Sequence, residues 1–303
     1  MGSWLVRQSR LAVGIGTVLV AFGFYSVGVP EKPPGFYIDE SAIAYNAHCI
    51  AQSGKDEYGE PWPLYFRSFG EFKNPTFIYL LAAVFRLTGP NIFVARLLSA
   101  SLGALAALLL GWLAFRMTRR IAPALLITAS ALLTPWLFEA SRLVFEVAAY
   151  PLVCALFLFV LWRASNRERW HMGEVIALAL GLALLTYTYS IGRLLGPLLA
   201  LGLAFFITRR NLARVALTWL AFAITLIPLV LFARTHPDAV TGRFKSISSM
   251  RADAGAGENL GSVFAQFCRN LDPWRWLVTG EDNPRDHFFG TPALLLPTYL
   301  LAL

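Results

Sequence analysis

The sequence predicts an all-α fold, a polytopic bundle of transmembrane helices with short connections on one side and long ones on the other. Three observations predict it. Of 303 residues, 57% are hydrophobic and only 15% are charged, where a soluble domain carries about a quarter. The apolar residues fall in uninterrupted runs, with a mean hydropathy of +0.57, as a hydrocarbon layer of about 30 Å demands. Arginines gather in alternate connections, the pattern that orients a membrane protein.

The first run, Leu11–Val29, follows Arg7 and Arg10 and is long enough to span. No small-residue cleavage site follows it, so it reads as a retained helix and not a signal peptide. Val29-Pro30-Glu31-Lys32-Pro33-Pro34 reads as its rigid exit. Further spans are expected at Asn91–Phe115, Ile121–Phe138, Val147–Trp162, Val175–Ser190, Leu194–Ile207 and Ala213–Phe232. A last run opens at Thr291 and stops at Leu303, so the chain is expected to be a piece of a longer protein.

Pro75–Thr88 is too short to cross, at about 21 Å. Its Phe77, Tyr79, Phe85 and Arg86 suit the membrane surface, so an amphipathic interfacial helix is expected. With that helix lying flat, Arg7, Arg10, Arg116, Arg119, Arg120, Arg163, Arg167, Arg169, Arg209, Arg210 and Arg214 share one side with Glu168 and Glu174 as its only acids. If it crossed, these clusters would be split between the two faces. The expected topology is therefore one membrane domain over 1–303 in the inner (plasma) membrane. The N-terminus is cytoplasmic, and the outer loops are 30–90 and 233–290.

The net charge of +8 is explained by these loop cations, so no nucleic-acid partner is expected. Cys49, Cys154 and Cys268 form no metal-binding spacing. Cys154 lies in an apolar run, and a pairing of Cys49 with Cys268 on the outer side stays open. No P-loop, dinucleotide fingerprint, HExxH or nucleophile elbow occurs, which argues against a nucleotide-driven pump and the common hydrolases.

Chemistry is sought in the outer loops. Asp39 and Glu40 sit shortly after the first span, where a carboxylate suits a general base and equally suits a helix N-terminus. Lys73 lies at headgroup depth, where it could hold a lipid phosphate or simply snorkel; Glu71 precedes it. Arg142 and Glu146 flank a short outer connection at a spacing that pairs along a helix face. Tyr187, Tyr189 and Arg193 occupy the next one and fit an anionic headgroup or a plain interfacial anchor. Asp282, Arg285 and His287 close the second long loop. His287 could shuttle a proton or bind a metal, though a lone loop histidine commonly does neither.

Together these segments resemble the polytopic GT-C glycosyltransferases, and within them the bacterial branch related to protein O-mannosyltransferases and to the aminoarabinose transferase of lipid A (glycosyltransferase family 39-like). The resemblance rests on Asp39-Glu40, Asp56-Glu57-Tyr58-Gly59, Phe66 to Pro75, Ser141 to Glu146, Tyr187 to Arg193 and Gly280 to Arg285. It implies a GT-C bundle of a dozen or so spans and a polyprenyl- or dolichyl-phosphate sugar donor. It also implies transfer that inverts the anomeric centre. Asp39 matches the family's base, with Glu40 as its neighbour. Lys73 matches a lysine that contacts the carrier phosphate, although the motif here reads Lys-Asn-Pro where Lys-Pro-Pro is commoner. Arg142, Arg193 and Arg285 are expected to share the phosphate. The expected partners are the carrier-linked sugar, membrane lipids, and a protein, lipid or glycan acceptor. A divalent metal held by Asp39, Glu40, Glu71 and Asp282 is left open.

A transporter or lipid flippase is the alternative. It requires ionisable residues in mid-span, and almost none occur. A non-catalytic scaffold would not require so many outer cations and acids.

Overall fold

The computed structural model describes residues 2–29, 31–237, 239, 254–279 and 294. The first apolar run folds as α1 (Gly2–Ser26), longer at its start and shorter at its end than the sequence implies. The chain then stays at one end of the bundle. It forms α2 (Ile38–Ser53), which stops at Gly54 in the left-handed conformation (φ 71), as helix C-termini favour. An antiparallel hairpin follows, β1 (Phe66–Ser68) and β2 (Glu71–Lys73), with Phe66 opposite Lys73. Its two turn residues, Phe69 and Gly70, both have positive φ, the geometry that matches strand twist in a two-residue turn. No strand was expected here.

α3 (Pro75–Thr88) starts on a proline and ends at Gly89, within the bounds read from the sequence. α4 (Ile92–Thr118) is capped by Asn91, whose side chain accepts from Phe93 N at 2.8 Å. The run expected at Ile121–Phe138 is two helices, α5 (Ile121–Leu133) and α6 (Pro135–Ala140), because Pro135 has no N–H to continue the first. A 3-10 turn (Glu146–Ala149) leads into α7 (Tyr150–Ser165), then α8 (Met172–Thr188). α9 (Gly192–Gly202) tightens into a 3-10 turn at Leu203–Phe206. α10 (Leu212–Thr225) and α11 (Ile227–Thr235) divide before Pro228. α12 (Ala256–Asn270) is an amphipathic helix beyond the bundle's last described span. The run expected from Thr291 lies outside the described residues.

Three described stretches are long and apolar enough to cross a membrane: Ile92–Thr118, Glu146–Ser165 and Leu212–Thr235; Leu11–Ser26, Ile121–Leu133, Met172–Thr188 and Gly192–Phe206 are shorter apolar helices. Leu19, Leu180, Leu201 and Leu220 stand exposed on the flank, as a membrane protein requires. α4 is central and packs on α1, α5 and α7. Its buried side is made of small residues, among them Ala100, Gly103, Ala104, Ala107 and Gly111, which let backbones approach closely where lipid removes the hydrophobic drive. A Cβ on Gly111 would lie 1.8 Å from Thr128 Oγ1 of α5.

The tightest apolar core lies at the loop-rich end. Phe77, Ile78, Leu81, Ala82 and Phe85 form one stripe of α3 against Ile43, Ala47 and Ile50 of α2. Each large side chain in it contributes about 1.5–3 kcal/mol where the alternative is water. This corrects the reading of Phe77 and Phe85 as interfacial anchors: α2 presents a matching stripe and takes them into protein. Asn74, just before α3, bonds Glu146. Arg96, in the second turn of α4, bonds Glu40, which in turn accepts from Val144 N. Both helices therefore begin against the same 144–146 segment, and α3 does not carry the chain to the opposite end. Cys49, Cys154 and Cys268 are all free thiols.

Candidate active site

Asp39 and Glu40 open α2, and the structure separates their roles. Glu40 is wholly buried. Its Oε2 accepts from Tyr37 N at 3.0 Å, a side-chain cap on the helix start. Arg96 donates Nε to Oε1 at 3.0 Å and Nη2 to Oε2 at 2.8 Å, and Val144 N donates to Oε1 at 3.0 Å. Arg96 also donates to the carbonyls of Pro33 and Gly35. Glu40 thus ties α1's exit, α2, α4 and the segment before α7 together. Asp39, one residue earlier, is 31% exposed, and its Oδ1 lies 2.7 Å from Lys73 Nζ.

The hairpin delivers Lys73. Side chains alternate along a strand, so Glu71 and Lys73 share one face of β2 while Phe72 turns the other way, onto Phe232 and His236. The next residue, Asn74, is fully buried. Its backbone N–H and its Nδ2 both donate to Glu146 Oε1, and Nδ2 also reaches Ser190 Oγ at 3.3 Å. Arg193 Nη2 donates to Asn74 Oδ1 at 3.3 Å. One asparagine beside Lys73 therefore links the segments before α3, α7 and α9.

Arg193 follows Gly192, where a Cβ would lie 1.7 Å from the Leu185 carbonyl oxygen. Only glycine lets α9 start this close to α8. The guanidinium lies 4.8 Å from the Tyr65 ring centroid and donates to Ala239 O. Burial pushes the Tyr65 phenol up to about 12, against the pull of Arg193. The aromatic partner of Arg193 is thus Tyr65, not Tyr187 or Tyr189 as sequence proximity implied. Tyr187 donates its hydroxyl to Thr225 O, and Tyr189 packs edge-on to Tyr150.

One expectation is corrected at Arg142. It does not pair with Glu146, because no helix joins them: α6 ends at Ala140 and the 3-10 turn begins at Glu146. Its guanidinium donates to Tyr25 O at 2.8 Å and to Val27 O, closing the C-terminal end of α1 as a cation does well. Asp282, Arg285 and His287 lie outside the described residues. Among the described residues no cluster of three His, Cys, Asp or Glu could hold a metal ion.

The family described as dolichyl-phosphate-mannose-protein mannosyltransferase matches residues 68–237, which include Lys73, Asn74, Arg142, Glu146 and Arg193. The chain belongs to this family. No curated protein sequence matches it. Among solved structures, ArnT from Cupriavidus metallidurans in the apo state is similar over 98% of this chain and 54% of its own, with 18% identity and a TM-score of 0.56. The same protein bound to undecaprenyl phosphate is similar over 90% of this chain and 50% of its own, with 17% identity and a TM-score of 0.54. The likeness shows the fold, a GT-C-type helical bundle. The chain spans about half the length of those structures.

For this mannosyltransferase-family chain, sequence reading missed Arg96, Asn74, Tyr65 and Ser190. Arg96 carried one signal, a lone arginine one turn inside a long apolar run, which is costly unless partnered. Asn74 was visible as the departure from Lys-Pro-Pro. Ser190 lay within the Tyr187 to Arg193 segment but was assigned no role, and Tyr65 carried no signal, since their contacts span 116 and 128 residues respectively.

Proposed function

We propose that the whole protein is a membrane glycosyltransferase that moves a sugar from a polyprenyl-phosphate donor to an acceptor at the extracytoplasmic face of the inner membrane. The observation that carries this reading is the contact of Lys73 with Asp39. A cation suited to phosphate and a partly exposed carboxylate suited to proton removal stand 2.7 Å apart, at the end of the bundle that carries α2, the hairpin and the start of α9. The N-terminus is then cytoplasmic, in keeping with the arginine clusters at the other end.

In this mechanism the donor phosphate takes over Lys73 from Asp39, with Arg193 as the second nearby cation. Their charge stabilises the phosphate as the bond from its oxygen to the anomeric carbon breaks. The acceptor hydroxyl or amine attacks that carbon from the opposite face and passes its proton to Asp39. The polyprenyl phosphate leaves with the bonding pair, and the anomeric centre inverts. Retention would require a second carboxylate as nucleophile. Glu40, buried and held by Arg96 and two backbone N–H groups, is unsuited to that task. Its role here is to position Asp39.

Membranes containing the protein, incubated with one radiolabelled polyprenyl-phosphate sugar at a time, test the reading. Transfer of label from at least one donor to an envelope acceptor is expected. A full panel of donors left unconsumed would sink it.

A further inference from the structure

The same two elements that bring Asp39 to Lys73 also border a half-open pocket of about 270 Å³, lined by Ile38, Ser41, Ala42 and Tyr45 of α2, Glu57 and Tyr58 of the following loop, and Ser68 and Phe69 of the hairpin. It is smaller than the roughly 300–1,000 Å³ of sites for drug-sized ligands, a size for one ring with its substituents. Tyr45, Tyr58 and Phe69 are each more than half exposed, so their faces are not spent on the core.

The loop is tied together and to α2 by hydrogen bonds. Asp56, itself buried, accepts from Tyr58 N at 2.9 Å and Glu60 N at 2.8 Å, and Asp56 N donates to Glu60 O. Glu57 is fixed from α2: Asn46 Nδ2 donates to its Oε1 at 2.8 Å, and Glu57 N donates to Asn46 Oδ1. Among the described residues nothing donates to Glu57 Oε2. Across the pocket, Ser68 is 3% exposed and its Oγ has no hydrogen-bond partner, a cost that a ligand hydroxyl would remove. Arg67 covers one face of Tyr58 at 5.4 Å and holds the ring in place.

We infer that this pocket binds one pyranose ring of a carbohydrate acceptor. A sugar ring is apolar on its C–H face and polar at its rim. Here aromatic faces meet a fixed carboxylate acceptor and a buried hydroxyl, the mixture such a ring matches; a peptide would present no ring of hydroxyls to satisfy Glu57 and Ser68 together. Ile38, which also lines the pocket, precedes Asp39 at the start of α2, so a ring seated here lies within about one helix turn of the proposed base, on a neighbouring face of the helix. The inference rests on the transferase reading above and names its acceptor class.

The test uses the full protein in nanodiscs and saturation-transfer NMR with methyl α-D-mannopyranoside, methyl β-D-glucopyranoside and a threonine-containing peptide as probes. Transfer to ring C–H protons of a pyranoside, and none to the peptide, is expected. Tyr58→Ala should weaken it roughly fivefold to tenfold, Glu57→Gln should also weaken it, and Tyr58→Phe, which keeps the ring, should restore it. No transfer to either pyranoside, transfer unchanged in Tyr58→Ala and Glu57→Gln, or transfer to the peptide alone would overturn the inference. A protein that binds pyranosides yet consumes no polyprenyl-phosphate sugar would sink the transferase reading and leave the pocket. Donor consumption without pyranoside binding would do the reverse.

Discussion

Arg96 meets Glu40 with two hydrogen bonds, Nε to Oε1 and Nη2 to Oε2, and both side chains are essentially buried. Removing one partner strands the other charge, which costs about 3–5 kcal/mol, far more than the pair adds over an apolar replacement. Glu40→Gln should therefore lower the thermal midpoint in detergent markedly, and Arg96→Met likewise. The double variant should recover much of the loss. A double variant no more stable than the worse single one would show that the pair does not act as a unit.

Asp39 has a different exposure and a different partner, so its substitution should have a different signature. Asp39→Asn keeps the size and the start of α2, removes the basic oxygen, and should abolish transfer with the thermal midpoint nearly unchanged. Transfer at the wild-type rate in Asp39→Asn would remove it from the role of base.

Lys73 should report on the donor. A charge-assisted hydrogen bond contributes roughly 1.5–3 kcal/mol, so Lys73→Ala should raise the apparent KM for the polyprenyl-phosphate sugar by about tenfold to a hundredfold. Acceptor KM should move little. Steady-state kinetics with each substrate varied in turn would check this, and an unchanged donor KM would contradict it.

Asn74 allows a sharper experiment, because proline stands at this position in the commoner family motif. The backbone of Asn74 (φ −76, ψ 150) already suits proline, so Asn74→Pro should introduce little strain. It would, however, strip both donors from Glu146, which is 8% exposed, at about 1–3 kcal/mol for each group left unsatisfied. It would also take Oδ1 from Arg193. The variant should melt earlier and use donor less well despite its closer match to the motif, and adding Glu146→Leu should restore stability without restoring donor use. A stable, fully active Asn74→Pro would show that the Asn74 hub is dispensable.

The helical class, the apolar runs and the existence of α3 were legible along the chain, because each depends on a local property: the length of a run, a proline at the start of a helix, a glycine at its end. The breaks at Pro135 and Pro228 were equally local and were passed over, since a hydropathy window sums over a proline that still removes a backbone donor. Asp39, Lys73 and Arg193 could be named as candidates by charge sign and position, but not sorted by role.

Sequence by itself determined that the chain is a membrane-embedded helical bundle with its acids concentrated in the long connections and its arginine clusters in the short ones. It did so because hydrocarbon tolerates little else over so many consecutive residues. Only tertiary structure decided which charges meet. Glu40 and Asp39 are adjacent, yet one faces Arg96 inside and the other Lys73 at the edge, since successive helix positions point about 100° apart. Arg142 closes α1, and Arg193 finds Tyr65 and Asn74. A charge takes the partner that packing brings within hydrogen-bond reach, and distance along the chain does not measure that.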